Sequence, residues 1–256
     1  MIEFFESLNW MIVAQIILID ILLGGDNAIV IALACRGLPE HLRMKGILWG
    51  TAGAIIVRVV LIFFAVSLLA LPWVKTIGGL LLLWIGVKLL VEDDDGHDNI
   101  NGGEQLWSAI RTIIVADLVM SMDNVVAVAS AAEQANADHK IALVAFGIAV
   151  SVPIVVWGSS IVLKIMDRVP AVVTGGAALL GYLGGSMIST DLALKEKLVE
   201  WLPMEMLHVP EFGVRLSLAG SAGALLVVVL GWWISQRKAR EASPEDGPEV
   251  SPDDAR

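Results

Sequence analysis

The sequence is poor in charged residues and in the side chains that build most catalytic and metal sites of soluble proteins. Only 17% of its 256 residues are charged, and it has four histidines and one cysteine, Cys35. A single cysteine excludes an internal disulfide framework, a cysteine zinc site and an iron–sulfur cluster. Soluble domains are about 45–50% apolar, whereas 57% of this chain is apolar. The composition therefore predicts an integral membrane protein.

Basic residues are outnumbered by acidic ones, and the excess is concentrated in two segments. The net charge is -10. Six acidic residues lie in 92–104, and six more, against four basic residues, lie in 237–256. A chain with this balance is not suited to bind nucleic acid, whose phosphates require basic surfaces. The polar segment from residue 236 onward has the composition of a disordered tail.

Seven long apolar runs account for most of the chain. A helix that crosses a bilayer needs about 20 mostly apolar residues. The alternating pattern of a membrane barrel is lacking. The runs lie at residues 10–35, 46–71, 72–91, 108–132, 141–163, 170–190 and 214–235. We therefore predict an all-α, polytopic protein with seven transmembrane helices in the lipid bilayer.

Lys and Arg residues near the span ends predict the orientation, because they are in excess on the cytoplasmic side of membrane proteins. With the N-terminus outside, ten of them lie on inner segments and five on outer segments. We predict an outer N-terminus and a cytoplasmic C-terminus. The predicted organisation is a first transmembrane repeat at 8–92, an acidic cytoplasmic loop at 93–107, a second repeat at 108–191, an interfacial linker at 192–213, a seventh helix at 214–235 and a tail at 236–256.

The two halves of the chain match each other at a constant offset of 97 residues. Asp20 aligns with Asp117, Asp26-Asn27 with Asp123-Asn124, and Gly78-Gly79 with Gly175-Gly176. Each unit contains three spans, so the second unit must enter the membrane from the opposite side. The result is an inverted 3+3 repeat plus one extra helix, which is typical of secondary transporters with a ligand site near the midplane. We expect the two glycine pairs to permit close helix packing.

Four aspartates lie well inside predicted spans: Asp20, Asp26, Asp117 and Asp123. A charged aspartate at the bilayer centre costs about 2.5–3.5 kcal/mol, so four unpaired ones would cost about 10–14 kcal/mol. They must be protonated, paired or bound to a cation. Arg58, the basic residue deep within a span, can neutralise only part of the set. The sequence therefore predicts a functional cation site.

The residues before the two Asp-Asn pairs differ between the repeats. Gly24 and Gly25 precede Asp26 and weaken the helix there by about 1 kcal/mol each relative to alanine. A local break would turn Asp26 toward the site and free backbone carbonyl groups as further ligands. Ser121 and Met122 stand at the corresponding positions of the second repeat. We therefore do not expect the two half-sites to be equivalent.

The candidate ligands are carboxylate and amide oxygens, from the four aspartates together with Asn27 and Asn124. An oxygen-rich set suits Mg²⁺, Ca²⁺ and Mn²⁺ better than Cu⁺ or Zn²⁺. A thioether from Met122 would favour Mn²⁺, although simple packing is the plainer interpretation of that side chain. Apolar surroundings favour the neutral acid, so protons and metal would compete for the same carboxylates. We predict no tightly bound cofactor, only a transported divalent cation.

The first repeat contains Gly24-Gly25-Asp26-Asn27-Ala28-Ile29-Val30, and the second contains Ser121-Met122-Asp123-Asn124-Val125-Val126-Ala127 at the corresponding positions. These two runs resemble the TerC family of integral membrane proteins in its short, single-domain branch. The resemblance covers about residues 8–235. It implies a seven-span protein of the bacterial inner membrane, related to the LysE transporter superfamily. It also implies efflux of a divalent cation, chiefly Mn²⁺, with the acidic positions of the family at Asp20, Asp26, Asp117 and Asp123.

Two alternatives from other classes stand beside an exporter. An intramembrane aspartyl protease also needs two embedded aspartates, but its Gly-x-Gly-Asp pattern fails here because Leu23 occupies the first glycine position. We therefore do not expect an enzyme. The other alternative is a membrane tether for stress-response proteins of the tellurium-resistance type, with no transport activity. A tether does not explain four costly acids within the membrane.

Overall fold

The computed structural model describes residues 17–18, 25–69, 71–91, 102–132, 140–194, 207–208 and 215–242. Its long elements are helices, and the described residues between the last two helices include one antiparallel pair of two-residue strands. In chain order they are α1 (Gly25–Arg36), α2 (Glu40–Leu69), α3 (Val74–Val91), α4 (Gly102–Ala132), α5 (Lys140–Met166), α6 (Pro170–Ser189), β1 (Leu207–His208), β2 (Arg215–Leu216) and α7 (Leu218–Ala242).

Among the described residues, five helices are long and apolar enough to cross a membrane. The qualifying segments are Glu40–Leu61, Val74–Val91, Gly102–Met122, Pro170–Ser189 and Leu218–Lys238. A shorter apolar helix covers Val150–Met166. The fold class is thus a multi-pass helical membrane protein, as predicted. The first predicted span falls partly outside the described residues, so the number of seven crossings stays a prediction.

Helices α4 and α7 continue into segments that were predicted to be a loop and a tail. Helix α4 begins at Gly102, inside the segment predicted as a loop at 93–107, and α7 ends at Ala242, inside the predicted tail. Hydropathy locates only the part of a helix that lies among lipid tails. Glu104 in the first turn of α4 and Arg240 in the last turn of α7 complement the helix dipole, which stabilises these polar extensions.

Glycines bring α6 close to both of its main neighbours, α3 and α7. A Cβ atom added at Gly79 would lie 2.5 Å from the carbonyl oxygen of Gly184, and one at Gly181 would lie 2.5 Å from that of Gly223. Only residues without a side chain allow helices to approach so closely. The predicted packing role of Gly78-Gly79 is therefore confirmed.

The second glycine pair behaves differently from the first. An added Cβ at Gly176 would meet Ile29 and Leu33 of α1 at 2.9 Å, so this residue does permit close packing. At Gly175 it would meet nothing within 4 Å. The prediction of a packing role is wrong for Gly175, because this residue points away from the neighbouring helices.

Asp191, which follows α6, is a buried acid that ties the end of that helix to the start of α3. Its carboxylate accepts hydrogen bonds from the backbone N–H groups of Trp73 at 3.1 Å and Thr76 at 2.8 Å, and from that of Ala193 at 2.8 Å. Burial disfavours the charged form, but the three N–H donors outweigh it and lower the pKa of Asp191. Trp73 has a positive φ of 72°, and the hydrogen bond from its backbone N–H to Asp191 helps to hold this uncommon conformation.

The helices pack in reciprocal pairs around a buried centre. Helix α2 packs against α4, and α5 packs against α1, while α3 packs against α6. Helices α1, α2, α4 and α5 also contact one another, which encloses the middle of the bundle. Large apolar side chains such as Trp49, Ile56, Trp157 and Leu225 are exposed on the outside. Exposed apolar surface on this scale suits a lipid environment.

Candidate functional site

A buried ion pair lies near the middle of the bundle. Asp117 is the central residue of the 31-residue helix α4, and its Oδ1 accepts a hydrogen bond from Nη2 of Arg58 on α2 at 2.5 Å. Both residues are buried, with 6% and 7% of their surface exposed. The two charges thus compensate each other in a region where an unpaired charge would be expensive.

Ser121 completes this cluster from the next turn of α4. Residues four apart lie on the same face of a helix, and the Ser121 hydroxyl donates to Oδ2 of Asp117 at 3.0 Å. The same hydroxyl oxygen accepts from Nε of Arg58 at 2.9 Å. Each of the three side chains therefore contacts the other two. The cluster holds the carboxylate and the guanidinium group in a defined orientation across the α2–α4 interface.

Helix α1 contributes Asp26 and Asn27 at its first turn. The backbone N–H of Asn27 donates to Oδ1 of Asp26 at 2.9 Å, in a half-buried position. Acidic side chains in a first turn are favoured by the helix dipole. Asp26 also interacts electrostatically with Arg58 and Asp117. The two acids therefore share one arginine, and the three groups together carry one negative charge when all are ionised.

A cavity of about 30 Å³ adjoins this cluster. It is lined by Asn27, Ile31, Thr51, Ala54, Ile55, Arg58, Asp117, Ser151, Val152 and Val155. The volume is enough for a water molecule or for a bare metal ion, which is no larger. The polar lining comes from α1, α2, α4 and α5, so the cavity lies where the two sequence repeats meet.

Within the described part of the chain, two buried oxygens in this cavity have no hydrogen-bond partner, Oδ1 of Asn27 and Oγ1 of Thr51. A buried polar atom without a partner costs about 1–3 kcal/mol. The bundle bears this cost beside a charged cluster, within a space large enough for a small ligand. An arrangement of oxygens that is unsatisfied by the protein alone suits the binding of a cation or of water.

The predicted site residues divide into three groups. Asp117, Arg58 and Ser121 form the cluster, with Asn27 on the cavity wall and Asp26 nearby. Gly25 starts α1, and Met122 is half-buried on α4. Asp20 and Gly24 lie outside the described residues, and so do the side chains of Asp123 and Asn124, although α4 includes their backbone. The described part of the chain contains no group of three or more His, Cys, Asp or Glu residues placed to hold a metal ion.

Sequence reasoning missed two hydroxyl residues on the cavity wall, Thr51 and Ser151. Thr51 lies seven residues before Arg58, two helical turns away on the same face of α2. A polar residue in register with an intramembrane arginine is the signal that would have identified it. No comparable sequence signal identifies Ser151 on α5. Its place on the cavity wall follows from the packing of α5 against α1 and α2.

Comparison with known proteins identifies relatives over most of the chain. The family model described as "Integral membrane protein TerC family" matches residues 5–240. "Uncharacterized membrane protein YjbE" of Bacillus subtilis is 44% identical over 176 residues, which cover 69% of this chain and 78% of that protein. "UPF0053 inner membrane protein YgdQ" of Escherichia coli is 23% identical over 202 residues, covering 70% and 80% respectively. No solved structure matches the chain at a significant level.

Proposed function

The chain belongs to the TerC family of integral membrane proteins, and we propose that it exports a divalent cation, with Mn²⁺ favoured, across a bacterial inner membrane. One observation carries the proposal. A charged cluster and two unsatisfied buried oxygens surround a small cavity at the centre of a membrane-embedded bundle. The unsatisfied oxygens destabilise the fold by themselves, so a ligand that binds to them beside the charged cluster is the simplest explanation.

The proposed ligands are oxygens. Asn27 and Thr51 supply neutral oxygens within the described cavity, and Asp26 supplies a carboxylate beside it. We propose that Asp20, Asp123 and Asn124 complete the coordination, as their positions in the repeat predict. Such a set is hard and oxygen-rich, which suits Mn²⁺, Mg²⁺ and Ca²⁺ alike. We propose Mn²⁺ first because the resemblance to the TerC family implies it. The cation is a substrate, and the proposed function includes no enzymatic reaction and no tightly bound cofactor.

Arg58 has a specific role in this proposal, as an internal cation that neutralises Asp117 between transport events. A divalent ion that enters the cavity competes with the guanidinium group for the Asp117 carboxylate. Asp26 then offsets part of the added charge, and Asp20 and Asp123, the proposed further ligands, offset the rest. A tethered cation of this kind keeps the site stable without metal, because the carboxylate is never left buried and unpaired.

The reciprocal helix contacts support the proposed inverted repeat. The offset of 97 residues relates α2 to α5, α3 to α6 and α1 to the second half of α4. It also relates the α2–α4 contact to the α5–α1 contact, so each cross-repeat pair has its counterpart. We propose seven spans with the N-terminus outside and the C-terminus in the cytoplasm, and a relationship to the LysE transporter superfamily. Competition of protons for the buried acids would make cation/H⁺ exchange the simplest coupling.

The test is Mn²⁺ flux through the purified protein in liposomes, with variants that alter the cavity wall. We expect Asn27→Ala and Thr51→Val to lower flux at least tenfold, because each removes one ligand worth about 1.4 kcal/mol or more. Ser160→Ala is the matched control, since its hydroxyl already donates to the carbonyl of Val156 and does not line the cavity. We expect this control to transport normally.

Three outcomes decide the proposal. Mn²⁺ flux that disappears in the two cavity variants but persists in Ser160→Ala supports it. Wild-type protein that is well folded in the liposomes yet moves no Mn²⁺, Mg²⁺ or Ca²⁺ contradicts transport and favours the tether. Mn²⁺ flux that is the same with an imposed and with a collapsed pH gradient contradicts the proposed proton exchange. It does not contradict the proposed cation site.

A further inference from the structure

The wall of the central cavity follows the sequence repeat residue by residue. Three residues of α2 that line the cavity have their counterparts, 97 positions later, in three residues of α5 that line it as well. The pairs are Ala54 and Ser151, Ile55 and Val152, and Arg58 and Val155. Corresponding residues that meet at one small cavity are expected where the axis of the proposed inverted repeat passes through the bundle.

The third pair breaks the symmetry that the first two pairs keep. Arg58 is buried and carries a guanidinium group, which stays protonated at accessible pH. Val155, at the corresponding position of α5, is apolar and much shorter. At this position of the cavity wall, α2 therefore supplies a permanent cation and α5 supplies none.

This difference divides the cavity into a charged half and a neutral half. The charged half consists of Arg58 and Asp117, from α2 and α4, which are joined by a hydrogen bond. The neutral half consists of Asn27, Ser151 and Val155, from α1 and α5. Oδ1 of Asn27 is buried and has no hydrogen-bond partner among the described residues. A buried oxygen of this kind, in the half without a fixed cation, suits a positively charged ligand.

We propose that the repeat builds two equivalent cation positions, of which the Arg58 guanidinium group fills the one beside Asp117 and the transported divalent ion takes the one beside Asn27 and Val155. The inference rests on the proposed function, because it assigns a position and a number to the proposed cation. A cavity of about 30 Å³ beside Arg58 has room for a single bare ion. The chain therefore binds one ion, although its repeat provides two positions.

Val155 is then the residue that keeps the second position available to a mobile cation. A fixed positive charge there would repel a divalent ion at short range, where the interaction of two charges is strongest. By the same offset, Asp20 corresponds to Asp117 and would serve the transported ion as Asp117 serves Arg58. Asp20 lies outside the described residues. The described contrast between Arg58 and Val155 is sufficient for a test.

The test counts the Mn²⁺ ions bound by the purified full-length protein in detergent, from the electron paramagnetic resonance signal of the Mn²⁺ that stays free. We expect one bound ion per chain in the wild type. We expect none in Val155→Arg, because a second guanidinium group then fills the remaining position. In Arg58→Val/Val155→Arg the fixed cation has changed sides, so the binding of one ion should return.

Two further variants separate the position of the charge from its side effects. Ile165→Arg adds the same charge to α5 at an exposed residue that does not line the cavity, and it should bind one ion like the wild type. Val155→Met introduces a long side chain without charge, so it should weaken binding less than Val155→Arg does. Equal losses in Val155→Met and Val155→Arg would show that volume alone excludes the ion, and would overturn the proposal.

The remaining outcomes are equally decisive. Loss of the ion in Val155→Arg and its return in the double variant support the proposal. One ion bound by Val155→Arg would overturn it without contradicting the proposed cation site. The double variant contains the same side chains as the wild type, so it should fold even if Val155→Arg does not. A double variant that fails to fold, or that folds without binding Mn²⁺, would overturn the equivalence of the two positions. Wild-type protein that binds no Mn²⁺ would contradict the proposed cation site itself and this inference with it.

Discussion

Breaking the buried ion pair between Arg58 and Asp117 should destabilise the protein. In Arg58→Met, the carboxylate of Asp117 keeps only the Ser121 hydroxyl as a partner among the contacts described above. The buried carboxylate then loses the guanidinium group that compensates its charge. We expect the free energy of unfolding to fall by about 3–5 kcal/mol, which is typical when a buried ion pair loses one partner.

The reciprocal change removes the carboxylate that is hydrogen-bonded to Arg58. Asp117→Asn keeps a hydrogen-bonding oxygen beside Arg58, and Asp26 still interacts electrostatically with the guanidinium group, which does not lose its proton at accessible pH. We therefore expect a loss toward the lower end of the typical range of about 3–5 kcal/mol. In the double variant Arg58→Met/Asp117→Asn neither charge remains. Its loss should be well below the sum of the two single losses, with a coupling energy of at least about 2 kcal/mol.

The assay is thermal unfolding of the purified variants in detergent at pH 7. A loss of 3–5 kcal/mol corresponds to a melting temperature lowered by about 6–20 °C in a chain of this size. Additive losses in the double variant would refute the ion pair as the source of stability.

Three further predictions concern stability elsewhere in the fold. The pKa of Asp191 is lowered on folding, so its carboxylate stabilises the fold above the unfolded-state pKa of about 3.9, and this stability is lost as the pH falls below that pKa. Between pH 6 and pH 3, the melting temperature should therefore fall less in Asp191→Asn than in the wild type. Gly181→Ala should lower the free energy of unfolding by about 1–3 kcal/mol, because the added methyl group would clash with Gly223. Gly175→Ala is the control: the described residues leave open space around Gly175, so the free energy of unfolding should stay unchanged or rise by about 0.5–1 kcal/mol. Asp167→Asn, which removes a surface ion pair of 2.7 Å, should change it by less than about 1 kcal/mol in chemical denaturation.

The helices were predictable from the sequence because lipid imposes a simple requirement on every crossing segment. About 20 apolar residues in a row must form a helix there, since no water is available to bond the backbone. The predicted spans at 72–91 and 170–190 lie within two residues of α3 and α6. The errors occur where helices leave the lipid, at Gly102 and Ala242, because a helix in the interface needs no apolar residues.

The partners within the site were not predictable to the same degree. Asp117 and Arg58 draw attention in the sequence because each charge in a span is expensive, yet nothing in the sequence joins them, since 59 residues separate them. Thr51 and Ser151 are ordinary residues for a transmembrane helix. They become part of a site only because α2 and α5 bring them to the same cavity.

The sequence alone therefore determined the class of the protein, the course of its main helices and the presence of costly charges among apolar residues, because the transfer of each residue into lipid depends on its own chemistry. Tertiary structure decided which charge neutralises which, and which of the described oxygens are left without a partner. These properties depend on distances between residues far apart in the chain. Helix packing, including the close glycine contacts of α6, determines those distances.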